Sequence, residues 1–225
     1  MQPEAKPILC CVTDRATLRT GEDLLALVRR SVDAGLDWVQ LREKDLPTKH
    51  LLELARPAVA TAQDTATRVL INDRLDVALA ASAAGVHLGE ASLPVGEVVR
   101  WCRGADGERR APEGFLIGAS CHSLAAAREA ERAGADYIFF GPVFLTPSKA
   151  TYGPPQGLRK LAEVAHSLRI PVLAIGGITL ENGVACLEAG AAGLAAIRLF
   201  QESADLAAIM ARLRAADPGR TRNAD

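Results

Sequence analysis

The sequence lacks the features that mark membrane, secreted and nucleic-acid-binding proteins. None of its apolar runs approaches the roughly 20 residues that a membrane-spanning helix needs. The amino-terminal segment, Met-Gln-Pro-Glu-Ala-Lys-Pro, contains no apolar core of a signal peptide. The 26 basic and 27 acidic residues nearly cancel, and no basic block stands out. These absences predict a soluble, cytoplasmic protein with no membrane and no nucleic-acid partner.

Aromatic residues and paired cysteines are also scarce. Only 4% of the residues are aromatic although 49% are hydrophobic, so the core must consist mainly of Ala, Leu, Val and Ile. The five cysteines are odd in number and include no Cys-x-x-Cys motif, which predicts buried, reduced thiols. Cys121 precedes His122, but neighbours in a chain rarely face each other, so no catalytic Cys–His pair is expected.

What the sequence does contain is a repeated alternation of short apolar runs and amphipathic segments. Segments such as 22–34 and 203–214 place apolar residues at i, i+3, i+4 and i+7, which predicts helices. The near-continuous apolar runs indicate strands covered on both faces, as in a parallel sheet. The predicted strands are 8–13, 37–42, 68–72, 85–88, 115–119, 136–140, 171–175 and 193–197.

A recurring phrase supports this alternation. Ala-Gly-Leu-Asp at 34–37 returns as Ala-Gly-Ala-Asp at 133–136 and as Ala-Gly-Ala-Ala at 189–192. In each phrase a helix is predicted to close with glycine at its C′ position, and the next strand follows almost at once.

Eight strand–helix units in 225 residues predict an α/β protein with a single (β/α)8 TIM-barrel domain over residues 1–225. A doubly wound open sheet is the alternative, but its usual glycine-rich turn is missing between Cys10 and Asp14. The polar stretch 104–112 is predicted to be a surface loop, and the tail 217–225 to be frayed.

Polar residues gather where the predicted strands end. In a barrel of this kind, functional residues belong at the carboxyl ends of the strands. The residues found there are Thr13, Asp14, Gln40, Arg42, Lys44, Asn72, Asp73, Arg74, His87, Glu90, Ser92, Ser120, His122, Lys149, Gly176, Gly177 and Arg198.

Three cations of this set, Arg42, Lys44 and Lys149, are predicted to converge on one rim of the barrel. Half-buried cations need anionic partners, and a phosphorylated substrate would supply them. Gly176 and Gly177 follow the seventh predicted strand, where a backbone without Cβ can approach a phosphate. A cation cluster and a separate anion-binding turn together predict two phosphate-bearing groups.

Structural interpretations remain open for the same residues. Arg42 and Lys44 could instead form rim salt bridges with Glu43, Asp45 or Asp73, and the glycine pair could simply make a tight turn.

Asp73 is a candidate Mg²⁺ ligand, because Mg²⁺ needs only one or two protein carboxylates when phosphates supply further oxygens. Alternatively, Asp73 could cap a helix that begins near Leu75. His87, on a short apolar strand, fits an interior histidine as well as a functional one.

Five motifs together resemble those of the thiamine-phosphate synthase family and its close relatives, the thiazole tautomerases. The resemblance extends from about residue 8 to residue 201 and is specific only as a set. The motifs are Val39-Gln-Leu-Arg-Glu-Lys44, Ile71-Asn-Asp-Arg74, Gly85-Val-His-Leu-Gly89, Gly141-Pro-Val-Phe144 with Thr146-Pro-Ser-Lys149, and Ala174-Ile-Gly-Gly-Ile178. It implies a transferase that uses Mg²⁺ to couple a hydroxymethylpyrimidine diphosphate to a thiazole phosphate, releasing pyrophosphate.

The resemblance also implies roles for individual residues. Arg42, Lys44 and Lys149 would be the catalytic cations on the diphosphate, Asp73 would ligate Mg²⁺, and Gly176–Gly177 would take the thiazole phosphate. The set implied to bind substrates is Gln40, Leu41, Arg42, Glu43, Lys44, Asn72, Ser120, Thr146, Pro147, Ser148, Lys149, Gly176, Gly177, Ile197 and Arg198. Within it, Asn72 and Ser120 would contact the pyrimidine, while Thr146 and Ser148 would line the thiazole side. The expected partners are these two small substrates, and a homo-oligomer stays open.

Two positions depart from the family pattern. Ser92, with Glu90 nearby, stands where the family usually has a second Mg²⁺-binding Asp, and a hydroxyl is a poorer ligand than a carboxylate. Arg198 stands where a small serine is common, and it would either add a bidentate phosphate contact or block the pocket.

Other functions stay open beside the synthase. A thiazole tautomerase would use His122 as its base, and a non-catalytic sensor of a phosphorylated ligand could use the same barrel. The synthase reaction needs no protein nucleophile, which agrees with the absence of a convincing Ser–His pair from the sequence motifs.

Overall fold

Eight short parallel strands close into a barrel in the computed structural model of the protein, which describes residues 6–104, 108–146 and 154–215. Neighbours in the chain are neighbours in the barrel, and the last strand pairs with the first, with Leu9 opposite Leu194. The strands are β1 (Ile8–Val12), β2 (Trp38–Leu41), β3 (Arg68–Asn72), β4 (Gly85–Leu88), β5 (Leu116–Cys121), β6 (Tyr137–Phe140), β7 (Val172–Ile175) and β8 (Gly193–Ala196). The predicted (β/α)8 barrel is confirmed.

Helices follow the strands around the outside of the barrel. They are α1 (Leu24–Asp33), α2 (Thr48–Ala62), α3 (Leu75–Ala80), α4 (Val95–Arg103), α5 (Leu124–Arg132), α6 (Gly157–Ser167), α7 (Leu180–Glu188), α8 (Arg198–Gln201) and α9 (Leu206–Ala215), with a 3-10 turn η1 (Arg15–Thr17) after β1. The last helix begins later than the predicted residue 203, because Asp205 accepts a hydrogen bond from the amide of Ala208 and so caps it. No helix within the described ranges is long and apolar enough to cross a membrane.

The strands separate two apolar layers. The outer layer, between strands and helices, is mainly aliphatic, as the composition predicts. The barrel interior differs, because it concentrates Trp38, Tyr137 and Phe139 in one cluster, with the first two ring centroids 4.6 Å apart. All five cysteines are buried and free, as expected, and burial raises the pKa of Cys121 to about 12. That thiol is therefore not a nucleophile at neutral pH.

The recurring phrase marks the amino-terminal end of the barrel. Gly35, Gly134 and Gly190 follow helix ends with φ of 73°, 92° and 95°, a left-handed conformation that favours glycine. The aspartates that follow, Asp37 and Asp136, each accept a hydrogen bond from the amide of a neighbouring strand residue. The predicted helix ends are thus confirmed, and the phrase also ties adjacent strands together.

Of two regions predicted to lack regular structure, one is partly covered by the described residues and the other is not covered. Residues 108–112 lie outside helices and strands, as a loop should, although Ala111 is buried and donates its amide to the carbonyl of Cys102. The tail 217–225 lies outside the described residues.

Candidate active site

Strand alternation brings Gln40 and Asn72 to the carboxyl end of the barrel interior. Trp38 and Leu70 belong to the interior cluster, so residues two positions further along β2 and β3 face the same way. The amide of Gln40 donates to Asn72 Oδ1 at 3.0 Å. Gln40 Oε1 is buried and has no hydrogen-bond partner among the described residues. A buried acceptor left over in this way fits a ligand that donates a hydrogen bond.

The turn after β2 carries the predicted cations. Arg42 is half-buried and Lys44 is exposed, and neither forms an ion pair with any residue that the structure describes. The nearby carboxylates are occupied elsewhere, since Arg15 pairs with Asp45 at 2.6 Å and lies 3.7 Å from Glu43. Among the described residues, Arg42 and Lys44 therefore do not form the rim salt bridges that the alternative interpretation predicts, and that alternative is wrong.

The side chains of Leu41 and Glu43, on either side of Arg42 in the chain, make their contacts within the protein. Leu41 is fully buried in the layer between barrel and helices, so only its backbone is available to a substrate. The Glu43 carboxylate accepts a hydrogen bond from the Thr13 hydroxyl at 2.6 Å and another from the Arg15 amide at 3.1 Å.

Asp73 has an unusual backbone for a residue with a side chain. Its φ is 65°, and its amide donates to the carbonyl of His87 at 2.8 Å. Helix α3 begins at Leu75 with Arg74 at its N-cap and no side-chain capping bond, so the capping interpretation of Asp73 is wrong. Among the described residues its exposed carboxylate takes part in no hydrogen bond or ion pair and interacts with the neighbouring Arg74 through charge alone, which leaves its oxygens available to a cation.

The turn after β4 places Ser92 and Glu90 in different contacts. Ser92 Oγ accepts a hydrogen bond from the amide of Gly89 at 2.7 Å and so stabilises the turn. Glu90 Oε1 lies 3.8 Å from His122 Nε2, while His122 Nδ1 is hydrogen-bonded to the carbonyl of Gly141. In the described ranges, no group of three or more His, Cys, Asp or Glu residues forms a metal site.

Ser120 takes part in a hydrogen-bonded chain that the motifs did not reveal. Its Oγ lies 2.9 Å from His87 Nε2, and His87 Nδ1 lies 3.1 Å from the Tyr137 hydroxyl. The sequence motifs offered no convincing Ser–His pair, whereas the structure brings Ser120 within hydrogen-bonding distance of His87. Tyr137 is the first residue of β6, and no local sequence signal connects it to His87 on β4.

The direction of these hydrogen bonds decides whether His87 can accept the proton of Ser120. Burial raises the pKa of Tyr137, which keeps its hydroxyl protonated, and its only acceptor among the described residues is His87 Nδ1. We assign the imidazole proton to Nε2 on this ground, so His87 donates to Ser120. In this tautomer the nitrogen of His87 that faces Ser120 has no lone pair, so it cannot take the Ser120 proton, and the hydroxyl keeps that proton for a ligand.

The glycine pair after β7 is required by close packing. Gly176 and Gly177 have φ of 95° and 66°, and an added Cβ would lie 2.6 Å from Pro142 Cα or 2.5 Å from the Leu145 carbonyl oxygen, respectively. The Phe144 amide donates to the Gly176 carbonyl at 3.0 Å, which joins this turn to the loop after β6. The amides of both glycines take no partner in the described part of the chain, so the tight turn leaves its N–H groups available.

Of the remaining predicted residues, Ile197, Arg198 and Thr146 are described, and they follow the carboxyl ends of β8 and β6. Ile197 packs against the interior cluster, and Arg198 is exposed at the start of α8 with no ionic partner among the described residues. Thr146 is half-buried in the loop after β6. Pro147, Ser148 and Lys149 lie outside the described residues.

Comparison with known proteins decides the family. Residues 9–200 match the family model described as thiamine monophosphate synthase. The chain belongs to this family. It is 42% identical to the thiamine-phosphate synthase of Methanoculleus marisnigri, with 92% of this chain and 93% of that protein covered. A protein of Geobacter sulfurreducens is 46% identical, with 96% of each chain covered.

Solved structures agree with this membership. The thiamine phosphate pyrophosphorylase from Pyrococcus furiosus superposes with a TM-score of 0.80 at 31% identity, covering 95% of this chain and 96% of that one. A 3-hexulose-6-phosphate synthase at 18% identity and a TM-score of 0.65 shares the fold alone. The family predicted from the motifs is confirmed.

Proposed function

We propose that this protein is a thiamine-phosphate synthase, which couples a hydroxymethylpyrimidine diphosphate to a thiazole phosphate and releases pyrophosphate. The observation that carries the proposal is the turn after β2, where Arg42 and Lys44 have no ionic partner among the described residues. Cations kept without partners at the mouth of a barrel favour an anionic ligand. Membership of the thiamine monophosphate synthase family gives that ligand its identity.

Arg42 and Lys44 are assigned to the diphosphate, with Lys149 as a third cation from outside the described residues. Guanidinium and ammonium groups stabilise the charge that grows on a leaving pyrophosphate. Arg42 follows the buried Leu41 directly, so the rigid end of β2 positions it.

The pyrimidine is assigned to Gln40, Asn72 and Ser120. Gln40 Oε1 lacks a partner and is available to a donor such as an exocyclic amino group. Ser120 receives a hydrogen bond from His87 and keeps its own hydroxyl proton for a ring nitrogen. A donor and an acceptor at separate points orient a flat heterocycle better than either alone.

Mg²⁺ is assigned to Asp73, whose exposed carboxylate takes part in no hydrogen bond or ion pair among the described residues. The residues present fit this ion, because Mg²⁺ takes one or two protein carboxylates and completes its shell with phosphate oxygens and water. Ser92 is a weak second ligand at best, since its Oγ already accepts the Gly89 amide. When bound, the ion would supply positive charge to the diphosphate.

The thiazole phosphate is assigned to the turn at Gly176 and Gly177, whose amides take no partner in the described part of the chain. Arg198 is exposed and without an ionic partner among the same residues, which supports the added phosphate contact over a blocked pocket. Ile197, Thr146 and Ser148 are assigned to the thiazole side.

The chemistry requires binding and orientation more than a reactive side chain. The bond between the pyrimidine methylene carbon and the pyrophosphate oxygen breaks, and its electron pair leaves with pyrophosphate. The lone pair of the thiazole nitrogen forms the new carbon–nitrogen bond, so atoms and charge balance without a protein nucleophile. The high pKa of Cys121 and the donor state of His87 agree with this scheme.

Pyrophosphate release tests the proposal. We expect release only when both substrates and Mg²⁺ are present, and a loss of at least about tenfold in Arg42→Ala, Lys44→Ala or Lys149→Ala, since a charge-assisted contact contributes roughly 1.5–3 kcal/mol. Isomerisation of a thiazole carboxylate phosphate without coupling would instead identify a tautomerase. Tight binding of either substrate without turnover would identify a sensor.

A further inference from the structure

A second layer of polar residues lies behind Arg42. Thr13, which follows β1 directly, is fully buried, and its Oγ1 donates to Glu43 at 2.6 Å. The same oxygen accepts a hydrogen bond from the Arg42 amide at 3.0 Å, and the Thr13 amide donates to the Gln40 carbonyl at 2.9 Å. One threonine therefore contacts the β2–α2 segment on both sides of Arg42.

We propose that Thr13 and Glu43 are positioning residues, which hold the backbone of Arg42 and Lys44 and do not touch the substrate. The inference rests on the proposed function, because that function supplies the diphosphate for these cations. It assigns Glu43 a structural task in place of the substrate contact that the motif implies.

The surroundings of Glu43 argue against a direct contact with a diphosphate. Its side chain is only 2% exposed, and both carboxylate oxygens are occupied, one by the Thr13 hydroxyl and the other by the Arg15 amide. A carboxylate beside a diphosphate would also repel it. Turned towards Thr13, the same charge strengthens a hydrogen bond that fixes the turn.

The segment that holds Glu43 is itself anchored. Gln201 of α8 is fully buried, accepts a hydrogen bond from the Asp14 amide at 3.1 Å, and donates to the Asp14 carbonyl at 2.8 Å and to Thr17 Oγ1 at 2.9 Å. The turn after β2 is thus connected through β1 to α8. Arg42 is held by its backbone, which leaves its guanidinium for a ligand.

Thr13→Val tests the inference, because valine keeps the shape of threonine and lacks the hydroxyl. We expect inorganic pyrophosphate, titrated by calorimetry with Mg²⁺ present, to bind about tenfold more weakly to this variant. Thr13→Ser, which keeps the hydroxyl, should remain within about twofold of the wild type. In the coupling assay, KM for the pyrimidine diphosphate should rise in Thr13→Val while KM for the thiazole phosphate stays unchanged.

Two substitutions of acidic residues, Glu43→Gln and its control Asp45→Asn, test the inference if Thr13→Val does not fold. Glu43→Gln removes the charge behind the turn and should weaken pyrophosphate binding by a similar factor. Asp45→Asn, two positions along the chain and exposed, should leave it within about twofold.

Pyrophosphate affinity within twofold of wild type in folded Thr13→Val or folded Glu43→Gln would overturn the inference, as would an equal rise in both KM values. Its failure differs from that of the proposed function. A wild type that binds pyrophosphate but couples nothing refutes the proposed function alone, whereas a coupling enzyme with an unaffected Thr13→Val variant refutes the inference alone.

Discussion

The two ends of the barrel differ in how many of their charged residues have partners. At the amino-terminal end, Asp136 pairs with Arg103 at 2.6 Å and Asp37 pairs with Arg214 at 3.2 Å. Each of these aspartates also accepts a strand amide. At the carboxyl-terminal end, Arg15 pairs with Asp45 and Arg74 with Asp76, but Arg42, Lys44 and Arg198 have no ionic partner among the described residues.

This difference separates charges that stabilise the fold from charges reserved for a ligand. A paired, hydrogen-bonded charge holds neighbouring strands, and its loss lowers the free energy of unfolding. An exposed or half-buried charge without a partner makes no such contribution until a ligand of opposite charge arrives. Substitutions of paired charges at the amino-terminal end should therefore lower the free energy of unfolding and spare activity. Substitutions of unpaired charges at the carboxyl-terminal end should lower activity and spare the free energy of unfolding.

The largest effect is expected for Arg42→Ala. Coupling should fall by at least about tenfold, from a lost contact of roughly 1.5–3 kcal/mol, while the melting temperature stays close to that of the wild type. Steady-state kinetics and thermal unfolding of the same preparation measure both quantities. Lys49→Ala, which removes an exposed cation of α2 paired only loosely with Glu53 at 3.9 Å, is the matched control and should change neither. Full activity in Arg42→Ala would remove the carboxyl-terminal cations from the proposal.

The opposite signature is expected for Asp136→Ala. The loss of its contacts with Arg103 and with the Ile117 amide should lower the free energy of unfolding by about 1–3 kcal/mol. The folded variant should keep its KM values. Urea unfolding measures the stability, and Glu129→Gln, which breaks an exposed pair with Arg132, should cost less than about 1 kcal/mol. Equal costs in the two variants would contradict a special role for the recurring phrase.

A smaller effect is expected for Ser92→Asp. A second carboxylate near the site should lower the Mg²⁺ concentration needed for half-maximal rate, and it can still accept the Gly89 amide that Ser92 Oγ accepts now. Initial rates over a Mg²⁺ titration measure this shift. Asp73→Asn, made beside it, should raise the requirement. If chelators leave wild-type coupling untouched, the assignment of Mg²⁺ to Asp73 is wrong.

The smallest effect is expected for His122→Gln. His122 contacts Glu90 and the Gly141 carbonyl, so in a synthase it shapes the rim and the variant should keep coupling within about an order of magnitude. In a tautomerase, His122→Gln would remove the general base and lower the rate by about 10²–10⁴-fold. A collapse in this variant alone, with Arg42→Ala and Lys44→Ala unharmed, would reject the synthase.

By itself, the sequence determined the barrel, the family and the residue types at the strand ends. It could do so because the apolar runs, the glycine-closed helices and the five motifs are local patterns, and a parallel barrel brings all carboxyl ends to one side. The position of Arg42 and Lys44 after β2 could be predicted in the same way, whereas their convergence with Lys149 stays a prediction.

Only the tertiary structure decided which of these charges are paired and which are not. Arg15 takes the carboxylates that stand beside Arg42 in the chain, and Tyr137 sets the proton of His87 from 50 residues away. Thr13, at the end of β1, reaches Glu43 at the end of the adjacent strand β2 in the same manner. Hydrogen bonds and ion pairs depend on distances across strands, which closure of the barrel sets and which no local pattern contains.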